Sequence, residues 1–252
     1  MFSVLKYSKN QKNFFELVKK KLKKHDVVIV KNFLNSETKK YIYKFLKRTF
    51  NLRKDIRKSG EFKYFQKDYR RLDIGDSYIN SRVSRFVLYT EWNNNNKNLY
   101  SKIKDIINLR NDVIGTKKVG FEYNFKGYNS KKYKFCDMIR MIQYPTGGGF
   151  LSQHNDREYL FPKQMVNVLV PFSKRSNKRS KFFLNFKKGG LFYVKNRIKI
   201  DIENEVNVGD LIFHNQLINH GVSSIDPELN FNLKSFCGRI MLNFSIGKFF
   251  IK

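Results

Sequence analysis

His154, two residues ahead of Asp156, is the most informative chemical feature of the chain, in the segment Met141-Ile-Gln-Tyr-Pro-Thr-Gly-Gly-Gly-Phe-Leu-Ser-Gln-His-Asn-Asp156. On a β-strand or at its end, residues two apart point to one face, so the imidazole and the carboxylate converge while Asn155 points away. Together they supply two ligands to a divalent first-row metal, and a third ligand would complete a facial set with open coordination positions. His-x-Asp alone is more often a polar surface turn than a metal site. The downstream chain adds more. Gly209-Asp-Leu-Ile-Phe-His-Asn-Gln-Leu-Ile-Asn-His220-Gly-Val reads as a turn, a strand and then a histidine before a small residue. Gly238-Arg-Ile-Met-Leu-Asn-Phe-Ser245 reads as a strand with one arginine, Arg239, at its start. A cation among apolar neighbours needs an anionic partner, and a dicarboxylate ligand would provide one through a bidentate pair.

The order His154-x-Asp156, His220, Arg239 resembles the Fe(II)/2-oxoglutarate-dependent dioxygenases. Tyr144-Pro-x-Gly, Gly189-Gly190 and Gly209-Asp210 match the texture of that superfamily. The likeness spans roughly residues 136–247 and touches both the phytanoyl-hydroxylase-like and the prolyl-hydroxylase-like branches. It implies a double-stranded β-helix (jelly-roll, cupin-like) core, with His154, Asp156 and His220 as the catalytic iron ligands. Arg239 would then pair with the distal carboxylate of 2-oxoglutarate. Many members place a Ser or Thr two positions after that arginine, where this chain has Met241, so the supporting hydroxyl is expected from Tyr144 or Ser245. An aspartate at the carboxylate position sets the chain apart from the halogenase variant. The implied activity is that of an oxidoreductase, a dioxygenase that consumes O2 and 2-oxoglutarate, releases succinate and CO2, and hydroxylates a C–H bond of a small molecule.

Such a set needs a β scaffold, and the chain from Val119 onward has its texture. Short β-branched and aromatic runs alternate with turn residues at Val119–Phe125, Phe135–Tyr144, Phe150–His154, Met165–Phe172, Lys181–Phe186, Leu191–Val194, Ile198–Ile202, Asp210–His214 and Arg239–Ile246. Many short strands at close spacing predict a mainly β fold with some α structure, a sandwich, jelly roll or barrel. Residues 1–118 read as mostly helical. Phe14, Phe15, Val18 and Leu22 recur at helical spacing, Asn35 or Ser36 precedes Tyr41, Phe45 and Leu46, and Ile103, Ile106 and Ile107 form a third stripe. Asp26–Lys31 is the one strand expected there. The organisation expected is a helical N-terminal segment (1–118) packed on a catalytic core (119–252), as one integrated domain.

The 252 residues carry 51 Lys+Arg against 21 Asp+Glu, a formal net charge of +30. The chain lacks alanine and has 25 Phe and 14 Tyr, a bias that an AT-rich gene would impose. That bias does not explain why acids are scarce, so part of the charge is an electrostatic property that attracts anions. A hydrophobic fraction of 41% excludes disorder. Cys136 and Cys237 are too few for a disulfide framework and form no CxxC pair. Lys6 and Lys9 interrupt the N-terminal apolar residues, and runs such as Val27–Val30 fall short of the ~20 residues a spanning helix needs. A cytoplasmic protein without a membrane span is expected.

The charge bears on the substrate. Arg140 on the strand before the histidine, and Arg157 beside Asp156, are placed for a substrate carboxylate or phosphate, with Arg70-Arg71 as a further pair. The basic run 174–181 reads first as a solvated loop. Nucleic acid is a less favoured partner, because AlkB-like demethylases carry a second arginine six positions after the first, where Ser245 stands. Other readings remain: a protein-directed oxygenase, a non-redox cupin-like protein that binds metal or sugar, or a polyanion-binding module with steep salt dependence. The cupin-like reading has no need for Arg239. His214 lies inside its strand and reads as a neighbour of the ligands, and His25 suits a helix C-terminus.

Overall fold

The computed structural model describes residues 2–8, 11–50, 62–73, 80–82, 84–125, 128, 131–156, 166–178 and 180–251. Its strands are β1 (Phe2–Lys6), β2 (Val27–Lys31), β3 (Tyr69–Asp73), β4 (Ser84–Tyr89), β5 (Lys118–Val119), β6 (Glu122–Tyr123), β7 (Tyr133–Tyr144), β8 (Gly149–His154), β9 (Val166–Pro171), β10 (Ser173–Arg175), β11 (Leu184–Phe186), β12 (Gly190–Lys195), β13 (Ile198–Asp201), β14 (Leu211–Asn215), β15 (Asn219–Ile225) and β16 (Arg239–Phe250). The helices are α1 (Phe14–Lys24), α2 (Ser36–Thr49) and α3 (Lys97–Ile114). A large sheet runs β1-β2-β14-β9-β16-β7-β4-β3, with the β5–β6 hairpin attached to β7, and a second sheet runs β13-β12-β15-β8.

The two-residue period of a strand sorts its side chains into layers. On β16, Ile240, Leu242 and Phe244 join a core that includes Val18, Ile42, Phe45, Ile103 and Ile106 from the three helices. Met241, on the opposite face, packs with Ile142, Tyr144 and Leu169 of the large sheet against Leu191, Tyr193 and Val222 of the small one. The order is therefore helices, large sheet, small sheet. A strand covered on both faces reads as an unbroken apolar run, which is why Val27-Val-Ile-Val30 was recognisable.

The first 118 residues are not simply helical. Strands β1 to β4 are interspersed with the helices and enter the large sheet through β2 on β14 and β4 on β7. The alternation of Tyr69-Arg-Arg-Leu-Asp73 and Ser84-Arg-Phe-Val-Leu-Tyr89 is hidden by arginines whose stems bury like apolar groups. The Arg85 guanidinium lies 4.5 Å over the Phe50 ring, and that of Arg71 lies 4.5 Å over Phe86. Of the two caps expected for α2, it is Asn35 whose Oδ1 accepts from the Thr38 N–H at 2.8 Å. Among the described residues no helix is long and apolar enough to cross a membrane.

Behind the site, α3 is bolted to β7. Asp137 and Arg110 are fully buried with Nη2 and Oδ1 2.6 Å apart, and Lys118 Nζ lies 2.8 Å from Asp137 Oδ2. Tyr123 donates its hydroxyl to the same carboxylate at 2.7 Å, and Arg110 Nη1 donates to the Ser245 carbonyl at 3.1 Å.

Candidate metal centre

Three aromatic side chains line up across the small sheet, because Tyr193 on β12 pairs with His220 on β15, which pairs with His154 on β8. Between the pairs His220–His154 and Val222–Leu151, β8 carries one extra residue. A bulge of this kind bends a strand and re-aims the side chain that follows it. Asn80 fixes the bulge: its N–H donates to Ser152 Oγ at 2.7 Å and its carbonyl accepts from the Ser152 N–H at 2.7 Å. Asp156 lies just past the end of β8, where its N–H donates to the Gln216 carbonyl at 2.9 Å.

Each histidine is oriented by its own strand. Nδ1 of His154 lies 2.9 Å from the Ser152 carbonyl, and Nδ1 of His220 lies 3.0 Å from that of Ile218. A carbonyl only accepts, so each Nδ1 carries the proton and each Nε2 keeps its lone pair for a ligand. His154 Nε2 is 3.7 Å from Asp156 Oδ1, and His220 Nε2 is 3.9 Å from Oδ2. One ligand atom from each of His154, Asp156 and His220 lies within 4.8 Å of the others. Asn167 donates to Asp156 Oδ2 at 2.6 Å and is itself held by Gln216 Nε2 at 3.0 Å.

The charges match these roles. Burial raises the Asp156 carboxyl, but His220, His214, His154 and Arg140 outweigh it and hold the group below the usual carboxylate range. Burial, and then the neighbouring His220, hold His154 below the usual imidazole range. Both groups are thus in the protonation state a cation requires at neutral pH. Replacing Asn167 with Ala is expected to weaken divalent-metal binding by about 10–100-fold, the usual effect of losing a partner that orients a ligand. Isothermal titration with Mn(II) would measure it.

Arg239 opens β16 beside this set and is fully buried. Its Nε donates to Glu203 Oε2 at 2.9 Å and its Nη1 contacts Met241 Sδ at 2.8 Å. Among the described residues, Arg239 Nη2 and the hydroxyl of Tyr193 are buried without a hydrogen-bond partner. The charges of Arg239, Asp156 and Glu203 all act on that hydroxyl.

Not every expected residue gathers here. Tyr144 pairs with Arg239 across the β7–β16 ladder and lies within reach of the Arg239, Arg140 and Asp156 charges. Ser245 does not join them: it stands six residues further along β16, about 20 Å at strand rise, and donates to the Met138 carbonyl at 3.3 Å. Arg140 is near enough for its charge to act on His154 and Asp156. Arg157 lies outside the described residues. His214 packs against the His220 ring at 4.8 Å, fully buried, and burial followed by the His220 charge pushes it down to about 3, so it is neutral. Sequence reasoning missed Tyr193, Asn167 and Glu203. Asn167 interrupts an apolar stretch, Val166-Asn-Val-Leu-Val170, the one signal that could have marked any of them.

No family model matches the chain, and no curated protein matches it. Solved structures do. The chain is similar to a prolyl-4-hydroxylase from Pseudomonas putida at 13% identity and TM-score 0.54, covering 92% of this chain and 98% of that one. It is similar to a 2OG-Fe(II) oxygenase-family oxidoreductase from Burkholderia pseudomallei at 12% identity and TM-score 0.53, covering 97% and 95%. SnoN, a non-heme alpha ketoglutarate dependent epimerase from nogalamycin biosynthesis, matches at 9% identity and TM-score 0.58, covering 94% and 83%. At such identities the likeness is one of fold, extending over nearly the whole chain. Two imidazoles and one carboxylate, beside a buried guanidinium with an open donor, are a donor set that fits Fe(II) and 2-oxoglutarate.

Proposed function

We propose that this chain, built on the fold of 2-oxoglutarate-dependent iron oxygenases, is itself such an oxygenase and hydroxylates a C–H bond of a small anionic substrate. The observation that carries this reading is a pairing: a three-ligand set next to a buried arginine and tyrosine that each present a donor with no acceptor. A buried donor left unsatisfied costs about 1–3 kcal/mol, so it is retained where a ligand meets it. A non-redox cupin-like protein would have no use for Arg239. His154, Asp156 and His220 would hold Fe(II), and Arg239 with Tyr193 would take the distal carboxylate of 2-oxoglutarate. With both bound, the site supplies oxidative decarboxylation of 2-oxoglutarate by O2, yielding succinate and CO2 and driving substrate oxidation.

The protein's own part is positional. Ser152 and Ile218 hold the imidazoles in one tautomer, and Asn167 fixes the carboxylate plane. Ile142, Tyr144, Leu169, Val222 and Met241 wall the space between the sheets with little exposed area, which excludes water. The charges beside them support an anionic substrate. Arg140 shares the inner face of β7 with Ile142 and Tyr144, and on β3 Arg71 pairs with Asp73 at 2.7 Å. Burial raises the Asp73 carboxyl, and the Arg71 and Arg140 charges act on it to lower it. Two guanidinium groups around one carboxylate leave a positive balance next to the centre, suited to a carboxylate or phosphate on the substrate. Unpaired Cys136 and Cys237 suit a reducing compartment such as the cytoplasm.

Anaerobic titration of the protein with Fe(II) and 2-oxoglutarate tests the reading. A weak visible charge-transfer band is expected, followed by succinate release that rises with carboxylate- or phosphate-bearing small molecules. Metal binding without a band would overturn the oxygenase. Stimulation by neutral compounds alone would overturn the anionic substrate.

A further inference from the structure

Glu203 has no part in the proposed chemistry, yet the fold goes to some length to install it. It sits in a short 3-10 turn, Glu203–Glu205, and is buried to 1% exposure. Its Oε2 accepts from two donors, Arg239 Nε at 2.9 Å and the Leu191 backbone N–H at 2.7 Å. Room for it comes from Gly190: a Cβ there would lie 2.7 Å from Glu203 Cγ, and the residue's φ of +131° already favours glycine. Gly190, the first residue of β12, thus serves a buried carboxylate, not only a turn.

The pairing is incomplete in an informative way. A carboxylate that merely neutralised Arg239 would lie side-on, with one oxygen on Nε and the other on Nη2. Here Glu203 Oε1 and Arg239 Nη2 are both buried and, among the described residues, both lack a partner. The bond to Nε and the contact of Nη1 with Met241 Sδ orient the guanidinium and leave Nη2 open. We infer that Glu203 is a positioning residue that holds Arg239 with its Nη2 free for the distal carboxylate of the co-substrate, and that its negative charge limits how tightly that carboxylate binds. The inference rests on the proposed co-substrate assignment and concerns what sets the affinity. Both donors converge on a single oxygen of Glu203, so a glutamine can keep both hydrogen bonds through its carbonyl while losing the charge. An alanine loses both.

The test is calorimetric titration of the Mn(II)-loaded protein with 2-oxoglutarate, and separately with oxalate, which chelates a metal but has no distal carboxylate. Glu203→Gln is expected to bind 2-oxoglutarate at least about threefold more tightly than the unaltered protein, through loss of a like charge. Glu203→Ala is expected to bind it about 10–100-fold more weakly, the range seen when an orienting partner is lost. Oxalate affinity should stay unchanged in both. Equal 2-oxoglutarate affinity in all three proteins overturns the inference, as does a loss shared by oxalate, which marks general disruption. If Glu203→Ala does not fold, Glu203→Gln decides alone: tighter binding supports the inference, and unchanged or weaker binding overturns it. Should the unaltered protein bind oxalate but not 2-oxoglutarate, the co-substrate assignment has failed, and this inference with it.

Discussion

Asp156→Ala is expected to reduce succinate production by more than about a hundredfold, beyond the 10–100-fold that follows loss of a partner which only orients a ligand. The carboxylate is the one negative group of the set, so the variant leaves two neutral imidazoles facing a divalent cation. It also leaves the Asn167 amide, now 2.6 Å from Asp156 Oδ2, without its acceptor. The direct measurement is Fe(II) retained after anaerobic gel filtration, with circular dichroism to show that the fold persists. A variant that retains iron and turnover would move the centre elsewhere. The same chemistry sets the pH response. Metal affinity falls as the ligands take up protons on acidification. Because burial and His220 hold His154 below the usual imidazole range, the fall through that group begins at a lower pH than a free imidazole would give.

Asp137→Ala should cost the fold more stability than either Asp156→Ala or Asn167→Ala. Among the described residues the aspartate is the only anion touching Arg110, and removing it strands a fully buried guanidinium. Lys118 keeps a second partner in Glu91 at 2.6 Å, so the cost falls on Arg110. Breaking one side of a buried ion pair costs about 3–5 kcal/mol. At about 2–4 °C per kcal/mol for a chain near this size, Tm should drop by about 6–20 °C. Burial alone would raise the Asp137 carboxyl, but Arg110 and Lys118 outweigh it and hold the folded value below the unfolded one. Its contribution is therefore complete above the unfolded value of about 3.9 and is lost as pH falls through the folded value. Melting curves for Asp137→Ala and the parent should converge at acid pH. A Tm within about 2 °C of the parent at neutral pH would show that α3 is held to β7 by its apolar contacts instead.

The residues that converge on one point were readable because coordination demands particular types in a particular order. His154-x-Asp156 has the spacing of a strand end, and His220 precedes a glycine whose Cβ would lie 2.6 Å from the Phe192 ring. What stayed hidden depends on pairing between distant strands. Tyr193 faces the site only because β12 lies beside β15, and Asn167 only because β9 lies beside β14. Nothing local in Val-Asn-Val-Leu-Val-Pro171 tells which face the asparagine takes. Ser245 shows the converse. It has the right parity on β16, but its distance along the strand takes it to the Arg110 end of the sheet. Strands β3 and β4 were missed for a third reason. Arginines over Phe50 and Phe86 bury like apolar residues while reading as polar in the sequence.

The place of β16 in the large sheet bears on how the chain is made. Residues 239–250 lie between β9 and β7, with further strands on either side, so the middle of the sheet is the part that leaves the ribosome last. Until then β7 and β4 have no route to β9, β14 and β2, and the apolar edges of both halves stay open. Pairings between residues this far apart in sequence are slow to form, and exposed strand edges in the meantime invite association with other chains. The large sheet thus closes in one late step, and a ribosome stalled before residue 239 would hold two half-sheets without the strand that pairs with both.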